Sequence, residues 1–137
     1  MDGHLLLEVV TPGRKVLSAE VSELAFPTAH RGYYGILPGH TPVMTPVGDG
    51  LVTYVQEGRK HVLTVFGGFA EVGPDRVTLL ARESETPEML DAAALEGARQ
   101  EALKRLKEAQ DPQETAVAQA ALDAAQIRLQ ALGPVVI

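Results

Sequence analysis

The pattern of residue types changes abruptly after Arg82, and this change limits the folds that are open to the chain. Before it, short apolar runs rich in β-branched residues alternate with Gly/Pro turns, which is typical of antiparallel strands. After the polar segment Glu83-Ser84-Glu85, alanine dominates and apolar residues recur at spacings of three and four, which is typical of amphipathic helices. The sequence therefore predicts an α+β protein, with a β domain over residues 1–84 and a helical region over residues 85–137.

The β domain is predicted to be a sandwich or flattened barrel, because its short strands are separated by turns at fairly regular spacing. In the run 60–66, apolar residues point to both faces, so we expect this part of the sheet to be covered on both sides. The pair Gly67-Gly68 interrupts the pattern and predicts a bulge or a close backbone approach. The predicted strands are 5–10, 21–26, the short strand 36–37, 51–56, 60–66, 69–72 and 76–81.

The helical region is predicted to be an antiparallel hairpin over about residues 87–132. Thr86 with Pro87, and Asp111 with Pro112, each have the form of an N-cap followed by proline at the first helical position. A very short connection between two helices favours an antiparallel pair. Since alanine buries little apolar area, at about 25 cal/mol per Å² the hairpin should be held weakly on the sandwich.

Composition excludes several classes of function. The net charge of −6 argues against a nucleic-acid partner, and the absence of cysteine leaves neither disulfides nor a thiolate site. No stretch approaches the roughly 20 apolar residues of a membrane span. The four histidines lack metal-ligand spacing, and neither a Gly-x-Ser-x-Gly elbow nor a phosphate-binding glycine loop is present. We therefore expect no catalytic residues, no metal and no cofactor.

The segment Gly32–Pro42 carries three glycines and two prolines within eleven residues. Proline fixes φ and glycine permits positive φ, so Pro38-Gly39 predicts a turn of defined shape, with His40 just beyond it. One interpretation is a rigid loop between strands. The other is a loop whose shape is recognised by a partner.

This segment also carries a resemblance to a known family. Gly35-Ile36-Leu37-Pro38-Gly39-His40-Thr41-Pro42 resembles the signature of the epsilon subunit of F-type ATP synthases, of the bacterial and chloroplast type. Further matches occur in the same order at 9–12, 67–72 and 77–81. The resemblance extends over essentially the whole chain, including the two-helix tail.

The resemblance implies a non-catalytic subunit of the rotor. Its sandwich would bind the gamma subunit and the ring of c subunits, and the catalytic sites would lie on the alpha and beta chains. The helices, when extended along gamma, would inhibit ATP hydrolysis. The protein would be peripheral to the membrane, on the cytoplasmic face of a bacterial plasma membrane. The alternative from another class is a free-standing β-sandwich adaptor whose helical tail binds some other protein.

The resemblance also implies three sets of site residues. The loop facing the c-ring would include Tyr33, Gly35, Pro38, Gly39 and His40, with the turn Thr11-Pro12-Gly13 as a candidate neighbour. Candidate contacts to the beta subunit are Arg99, Lys104, Arg105, Lys107 and Arg128. Candidate weak contacts to ATP are Leu90, Asp91, Arg99 and Arg128.

Taken alone, the same basic residues favour a solvated face of mixed charge, with pairs such as Glu101–Arg105. Three positions depart from the family pattern. Tyr33 stands where many relatives carry an acidic residue, Ala94 stands where ATP-binding relatives carry an arginine, and Leu95 stands where they carry an alanine. Because alanine cannot donate to phosphate, we expect weak or absent ATP binding.

Overall fold

The computed structural model describes residues 3–30 and 32–134, and its first part consists of two packed β-sheets. Alternate residues of each strand face the space between the sheets, which gives the region its core. The predicted sandwich is therefore confirmed. The strands are β1 (Leu5–Thr11), β2 (Arg14–Val21), β3 (Glu23–Pro27), β4 (Tyr33–Ile36), β5 (Val43–Pro46), β6 (Gly50–Gln56), β7 (Arg59–Val72) and β8 (Arg76–Glu83).

One layer has the strand order β2-β1-β8-β7-β5, and the other has the order β7-β6-β3-β4. Strands β1 and β8 pair in parallel, with Leu6 opposite Arg76 and Val10 opposite Leu80, whereas the other strand pairs are antiparallel. The long strand β7 belongs to both layers: its first half pairs with β6, and its second half pairs with β8 and β5.

The crossing of β7 between layers takes place at the two glycines that the sequence marks as an interruption. Gly67 and Gly68 both have positive φ, at 65° and 118°. A Cβ at Gly68 would overlap the carbonyl oxygen of Leu80, so β7 and β8 approach too closely there for any side chain. The predicted close backbone approach is confirmed.

Strands β2 and β5 were not predicted. Strand β2 carries charged or polar residues at half of its positions, and only Ala19 and Val21 of its side chains are buried. Strand β5 has four residues and ends at Pro46. Both lie at the edge of a layer, where one side of the strand is unpaired and the alternation of apolar residues is weak.

The helical hairpin follows, with α1 (Ala92–Glu108) and α2 (Pro112–Leu132). The predicted start of the first helix at Pro87 is wrong by five residues. Pro87–Met89 form a single 3-10 turn, and Leu90 then returns to extended backbone. The helix begins only after Asp91, whose carboxylate accepts hydrogen bonds from the amides of Ala93 and Ala94.

The connection between the helices follows the predicted capping. Asp111 accepts a hydrogen bond from the amide of Glu114 at 2.8 Å, and Pro112 occupies the first helical position. The side chain of Glu114 accepts a hydrogen bond from the amide of Gln110. The first bond satisfies an amide that the start of α2 would otherwise leave without a partner, and the second holds the residue before the cap against the first turn of α2.

Helix α2 lies against the outer face of the β7-β6 layer. Val62, Thr64 and Phe66 are buried on that face, whereas Leu63 and Val65 point into the core between the sheets. The expectation that this part of the sheet is covered on both sides is confirmed. Within the described residues, neither helix combines the length and the apolar character that crossing a bilayer requires.

Candidate functional site

The loop that follows β4 is a rigid turn. The amide of His40 donates to the carbonyl of Leu37 at 3.2 Å, and the amide of Gly39 donates to the carbonyl of Pro74 at 2.7 Å. Gly39 has a φ of 84°, a conformation that favours glycine. The loop is thus tied both to itself and to the turn that precedes β8.

The His40 side chain makes contacts with its own loop and with β4. Its Nδ1 lies 2.6 Å from the carbonyl oxygen of Thr41. A carbonyl only accepts, so Nδ1 is the protonated nitrogen. The ring also meets the edge of Tyr34, which in turn stacks on the buried ring of Phe26. A chain of aromatic contacts therefore connects the loop to the core.

The side chains that the loop region offers to a partner are Tyr33 and Leu37, which are 59% and 60% exposed. Tyr33 is the first residue of β4 and Leu37 directly follows its last residue. Gly35, between them on the same face, leaves open space above the sheet. The turn Thr11-Pro12-Gly13 is not a neighbour of Pro38-Gly39. It lies beside Arg82, whereas Gly39 contacts Pro74, before the first residue of β8. That candidate proximity is wrong, because the β1–β8 pairing places the two turns at opposite ends of these strands.

The outer face of the layer that contains β1 and β8 carries an exposed apolar row. Val10 pairs with Leu80, Leu80 pairs with Phe69, and Phe69 pairs with Pro46. Leu80 is 50% exposed and Phe69 is 39% exposed. Met44, two positions before Pro46 on the same face, is exposed as well. We call Val10, Met44, Pro46, Phe69 and Leu80 the apolar row.

A charged cluster borders the apolar row. Glu8 bonds to both Lys15 and Arg76, at 3.0 Å and 3.2 Å. The ammonium group of Lys15, together with the Arg76 guanidinium, holds the pKa of the Glu8 carboxyl below its usual value. The face thus combines an apolar centre with charged neighbours, which is typical of a protein-binding surface.

The five basic residues of the hairpin do not form one free strip. Arg99 bonds to Glu96, and this pair raises the pKa of Arg99 and lowers that of Glu96. Arg105 bonds to Glu101 at 3.0 Å, as the spacing of four predicts. Among the described residues, Lys104 and Lys107 form no ion pair and are exposed.

Arg128 is held at the contact between the hairpin and the sandwich. Its guanidinium lies 2.9 Å from Glu85 and 3.3 Å from Glu83, and its Cζ sits 4.5 Å above the ring of Phe66. Only 22% of its side chain is exposed. In this conformation Arg128 is occupied within the chain.

The residues that were candidate ATP contacts likewise have structural roles or ion-pair partners within the chain. Leu90 is the extended residue between the 3-10 turn and α1, and the Asp91 carboxylate caps α1. Arg99 and Arg128 are paired with carboxylates, as described above. Over residues 3–30 and 32–134, no group of three histidine or acidic side chains is placed to hold a metal ion.

Sequence reasoning missed the apolar row and the partners of Arg128, and it did not single out Leu37 within the predicted loop. The apolar row joins four strands, so it exists only once their register is fixed. In the sequence, Glu85 belongs to the polar segment between the two regions. No local pattern relates it to Arg128, which lies 43 positions later. Leu37 lay inside the predicted loop, and its exposure depends on which face of β4 is covered.

Fold and surfaces define a β-sandwich protein with an attached helical hairpin and exposed surfaces suited to protein partners. The family described as ATP synthase, Delta/Epsilon chain, beta-sandwich domain matches residues 4–87. The ATP synthase epsilon chain of Moorella thermoacetica is 41% identical over 132 residues, which cover 96% of this chain and 98% of that relative. The Bacillus subtilis ATP synthase epsilon chain is 41% identical over 105 residues, covering 77% of this chain and 79% of the relative. The chain belongs to the family of ATP synthase epsilon chains.

Solved structures agree on the fold. A chain of the Euglena gracilis mitochondrial ATP synthase has a TM-score of 0.81 with 23% identity, and the match covers 97% of this chain and 84% of that one. A chain from the central stalk and c-ring of the Tetrahymena thermophila mitochondrial ATP synthase has a TM-score of 0.63 with 11% identity, covering 94% of this chain and 96% of that one. The family resemblance inferred from the motifs is confirmed.

Proposed function

We propose that this chain acts as the epsilon subunit of a proton-translocating F-type ATP synthase, on the cytoplasmic face of a bacterial plasma membrane. In this role its sandwich joins the gamma subunit and the c-ring in the rotor, its hairpin restrains ATP hydrolysis, and catalysis takes place on the alpha and beta chains. The observation that carries the proposal is the unequal covering of the two outer sheet faces: α2 lies on one, and the apolar row is exposed on the other.

Gamma docks on the apolar row in this proposal. A side chain such as Leu80, half exposed between Val10 and Phe69, gains burial when a partner covers the row, and each apolar Å² removed from water contributes about 25 cal/mol. The neighbouring Glu8, Lys15 and Arg76 supply the polar rim that protein interfaces usually have.

A pair of charge substitutions tests the gamma surface. Leu80→Glu places a charge in the apolar row, and Leu37→Glu places the same charge at another exposed position, so neither should disturb the core. We expect Leu80→Glu to reduce gamma binding in a pulldown or calorimetric titration by at least about tenfold, the equivalent of 1.4 kcal/mol. Equal binding by both variants would place gamma elsewhere.

The c-ring is met by the loop region of Tyr33, Gly35, Pro38, Gly39 and His40, with Leu37 added from its exposure. The rigidity of the loop supports this, since a preformed surface loses little entropy on binding. Tyr33→Cys should crosslink to cysteines in the polar loop of subunit c. If no ring position gives a product, the assignment fails.

The beta subunit is met by the basic residues of the hairpin. Lys104 and Lys107 are the first candidates because they form no ion pair within the described residues. Arg99 and Arg105 would break their ion pairs with glutamates of α1 and bind acidic groups of the beta subunit instead. Arg128 would break its ion pair with Glu85.

The regulatory role is tested by reconstitution with gamma and the catalytic subunits, with and without the residues after Thr86. The truncation keeps Ser84 and Glu85, which are hydrogen bonded to Thr64 of β7. We expect a folded sandwich that still binds gamma, and faster hydrolysis. In membranes that hold the whole complex, ATP-driven proton pumping should continue. Loss of gamma binding would show that the domain boundary is misplaced.

ATP binding is expected to be weak or absent. The carboxylate of Asp91 accepts two amides of α1, and Ala94 offers no donor to phosphate. Restoring an arginine with Ala94→Arg would add a charge-assisted hydrogen bond, worth about 1.5–3 kcal/mol. Calorimetric titration with ATP compares the two proteins, and micromolar binding by the unsubstituted chain would refute the expectation.

A further inference from the structure

The exposed face that carries the apolar row has a carboxylate on one side of the row and a guanidinium on the other. We propose that two copies of the free chain associate through this face, row against row, about a twofold axis that runs along the row. The inference goes beyond the proposed role in the rotor, because it concerns the chain before gamma is bound. It shares with that role only the use of the apolar row.

The two charged groups, Glu71 and Arg82, occupy matching places across the row. Along β7, Glu71 and Gly67 lie two residues to either side of Phe69. A Cβ at Gly67 would lie 2.6 Å from the Nε of Arg82, so the Arg82 side chain extends across Gly67. The guanidinium therefore lies over β7, about as far from Phe69 on one side of the row as Glu71 is on the other.

Both groups are accessible to another chain. Glu71 is exposed and forms no ion pair within residues 3–30 and 32–134. The Arg82 side chain is 70% exposed, and its ion pair with Asp49 is long, at 3.7 Å. Arg82 can therefore bind a carboxylate of a second copy without breaking a buried contact.

The charges decide between the two twofold axes in the plane of the face that lay the row on itself. An axis along β8 would place Glu8 of one copy opposite Glu71 of the other, because both flank Thr78 on the same side of the row. An axis along the row instead places the Arg82 guanidinium opposite Glu71 of the other copy, and the symmetry makes this contact twice. Like charges oppose association and opposite charges favour it, so the axis runs along the row.

On this axis, each residue of the row meets its own counterpart. Leu80 and Phe69 are 50% and 39% exposed, and both copies remove their apolar area from water at once. Lys15, which pairs with Val10 at one end of the row, also meets its counterpart, but Glu8 at 3.0 Å offsets its charge. The contact therefore has an apolar centre and ion pairs at its rim, as protein interfaces usually have.

The face is small, so the dimer should be weak and reversible. A standard interface buries about 800 Å² on each partner, and the five side chains of the row offer less than this. We expect a dissociation constant of about 10–100 µM. The dimer would cover the row while the chain is free, and gamma, which needs the same row, would separate the two copies.

The experiment measures the association state of the full chain by sedimentation equilibrium over a series of concentrations. Arg82→Glu and Glu71→Arg each place like charges opposite one another across the axis, and the double variant restores opposite charges in reversed order. The matched control is Arg59→Glu, which makes the same change of net charge as Arg82→Glu at an exposed residue of the other layer.

We expect the unsubstituted chain to shift from monomer to dimer as its concentration rises. Each single variant should raise the dissociation constant by at least about tenfold, because an attraction becomes a repulsion at two symmetric places. The double variant should return close to the unsubstituted value, as coupled charges require, and Arg59→Glu should leave it unchanged. Addition of gamma should replace the dimer by a complex with one copy of each chain, and circular dichroism checks that every variant is folded.

The proposal is overturned if the chain stays monomeric at roughly 1 mM, ten times the weakest dissociation constant expected. It is also overturned if Arg82→Glu acts no differently from Arg59→Glu, if the double variant does not recover, or if gamma binds while the dimer stays intact. A chain that dimerises as described but does not bind gamma would refute the rotor role alone. A chain that binds gamma but never dimerises would refute this inference alone.

Discussion

The sandwich and the hairpin bury different kinds of side chain. In the sandwich, large residues such as Phe26, Leu63 and Leu79 are fully buried between two sheets. In the hairpin, the buried residues are Ala102, Ala118, Leu122, Ala125 and Ala131, so one leucine stands among four alanines. The free energy gained by burial is proportional to the apolar area that is buried. The sandwich buries more apolar area per buried residue than the hairpin does, so burial stabilises it more.

The two regions also differ in how far along the chain their contacts reach. Strand β1 pairs with β8, about seventy positions away, and β7 ties both layers together. The helices instead depend on bonds between near neighbours, at the caps of Asp91 and Asp111 and in the pair Glu101–Arg105. The sandwich is therefore a cooperative unit. The hairpin is formed by contacts between residues that are near one another in the sequence, and it docks on the sandwich.

The largest expected effect comes from removing a ring from the sandwich core. Phe26→Ala should destabilise the sandwich by about 3–5 kcal/mol, because it leaves a cavity under Tyr34. Leu122→Ala on α2 should affect the hairpin and leave the unfolding of the sandwich nearly unchanged. Urea unfolding, followed by amide exchange in each region, measures both. If the two substitutions shift both regions equally, the regions form one cooperative unit.

The same glycine substitution should have opposite signs in the two regions. Gly68→Ala should destabilise the sandwich by about 3 kcal/mol, since it forces a side chain into a positive φ and against the Leu80 carbonyl. Gly97→Ala in α1 meets nothing within contact distance and should stabilise the hairpin by about 0.5–1 kcal/mol. Thermal unfolding followed by circular dichroism measures whether each substitution lowers or raises stability. If Gly68→Ala left the stability unchanged, this would contradict the close approach of β7 and β8.

A smaller effect is expected at the cap of α2. Asp111→Ala removes the acceptor for the Glu114 amide and should weaken the hairpin by about 1 kcal/mol. Asp111→Asn, which can still accept this bond, is the matched control. Amide exchange at the start of α2 should increase in the alanine variant alone, and strand amides should keep their protection. Increased exchange in the strands would mean that the cap stabilises the whole molecule.

The smallest effect concerns alkaline pH. Burial, and to a lesser extent the charge of Glu88, raises the pKa of Tyr54, which stacks on His61. The folded state thus holds the phenol proton more tightly than the unfolded state, so this stabilising effect is complete below the ordinary value of about 10 and is lost as pH rises through the folded pKa. Urea unfolding between neutral and strongly alkaline pH should show a smaller loss of stability for Tyr54→Phe than for the unsubstituted chain. An identical pH dependence would contradict the assignment.

The sequence by itself determined the elements whose signals are local. Alternation and turns predicted the strands β1, β6 and β8, and the Asp111-Pro112 cap predicted the start of α2 where the structure has it. The family signature likewise lies in contiguous runs of residues, so the family could be read without coordinates. Each of these signals comes from a few neighbouring residues, and their types and spacing are enough to predict the strand, the helix start or the family.

Only the tertiary structure decided which distant residues meet. The apolar row needs the register of β1, β8, β7 and β5, and a shift of one residue would turn each side chain to the other face. The start of α1 depended on the extended conformation of Leu90, against the local preference of Thr86-Pro87. The pairing of Glu85 with Arg128 follows from where α2 docks on β7, a contact whose partners are 43 positions apart and which no pattern of neighbours encodes.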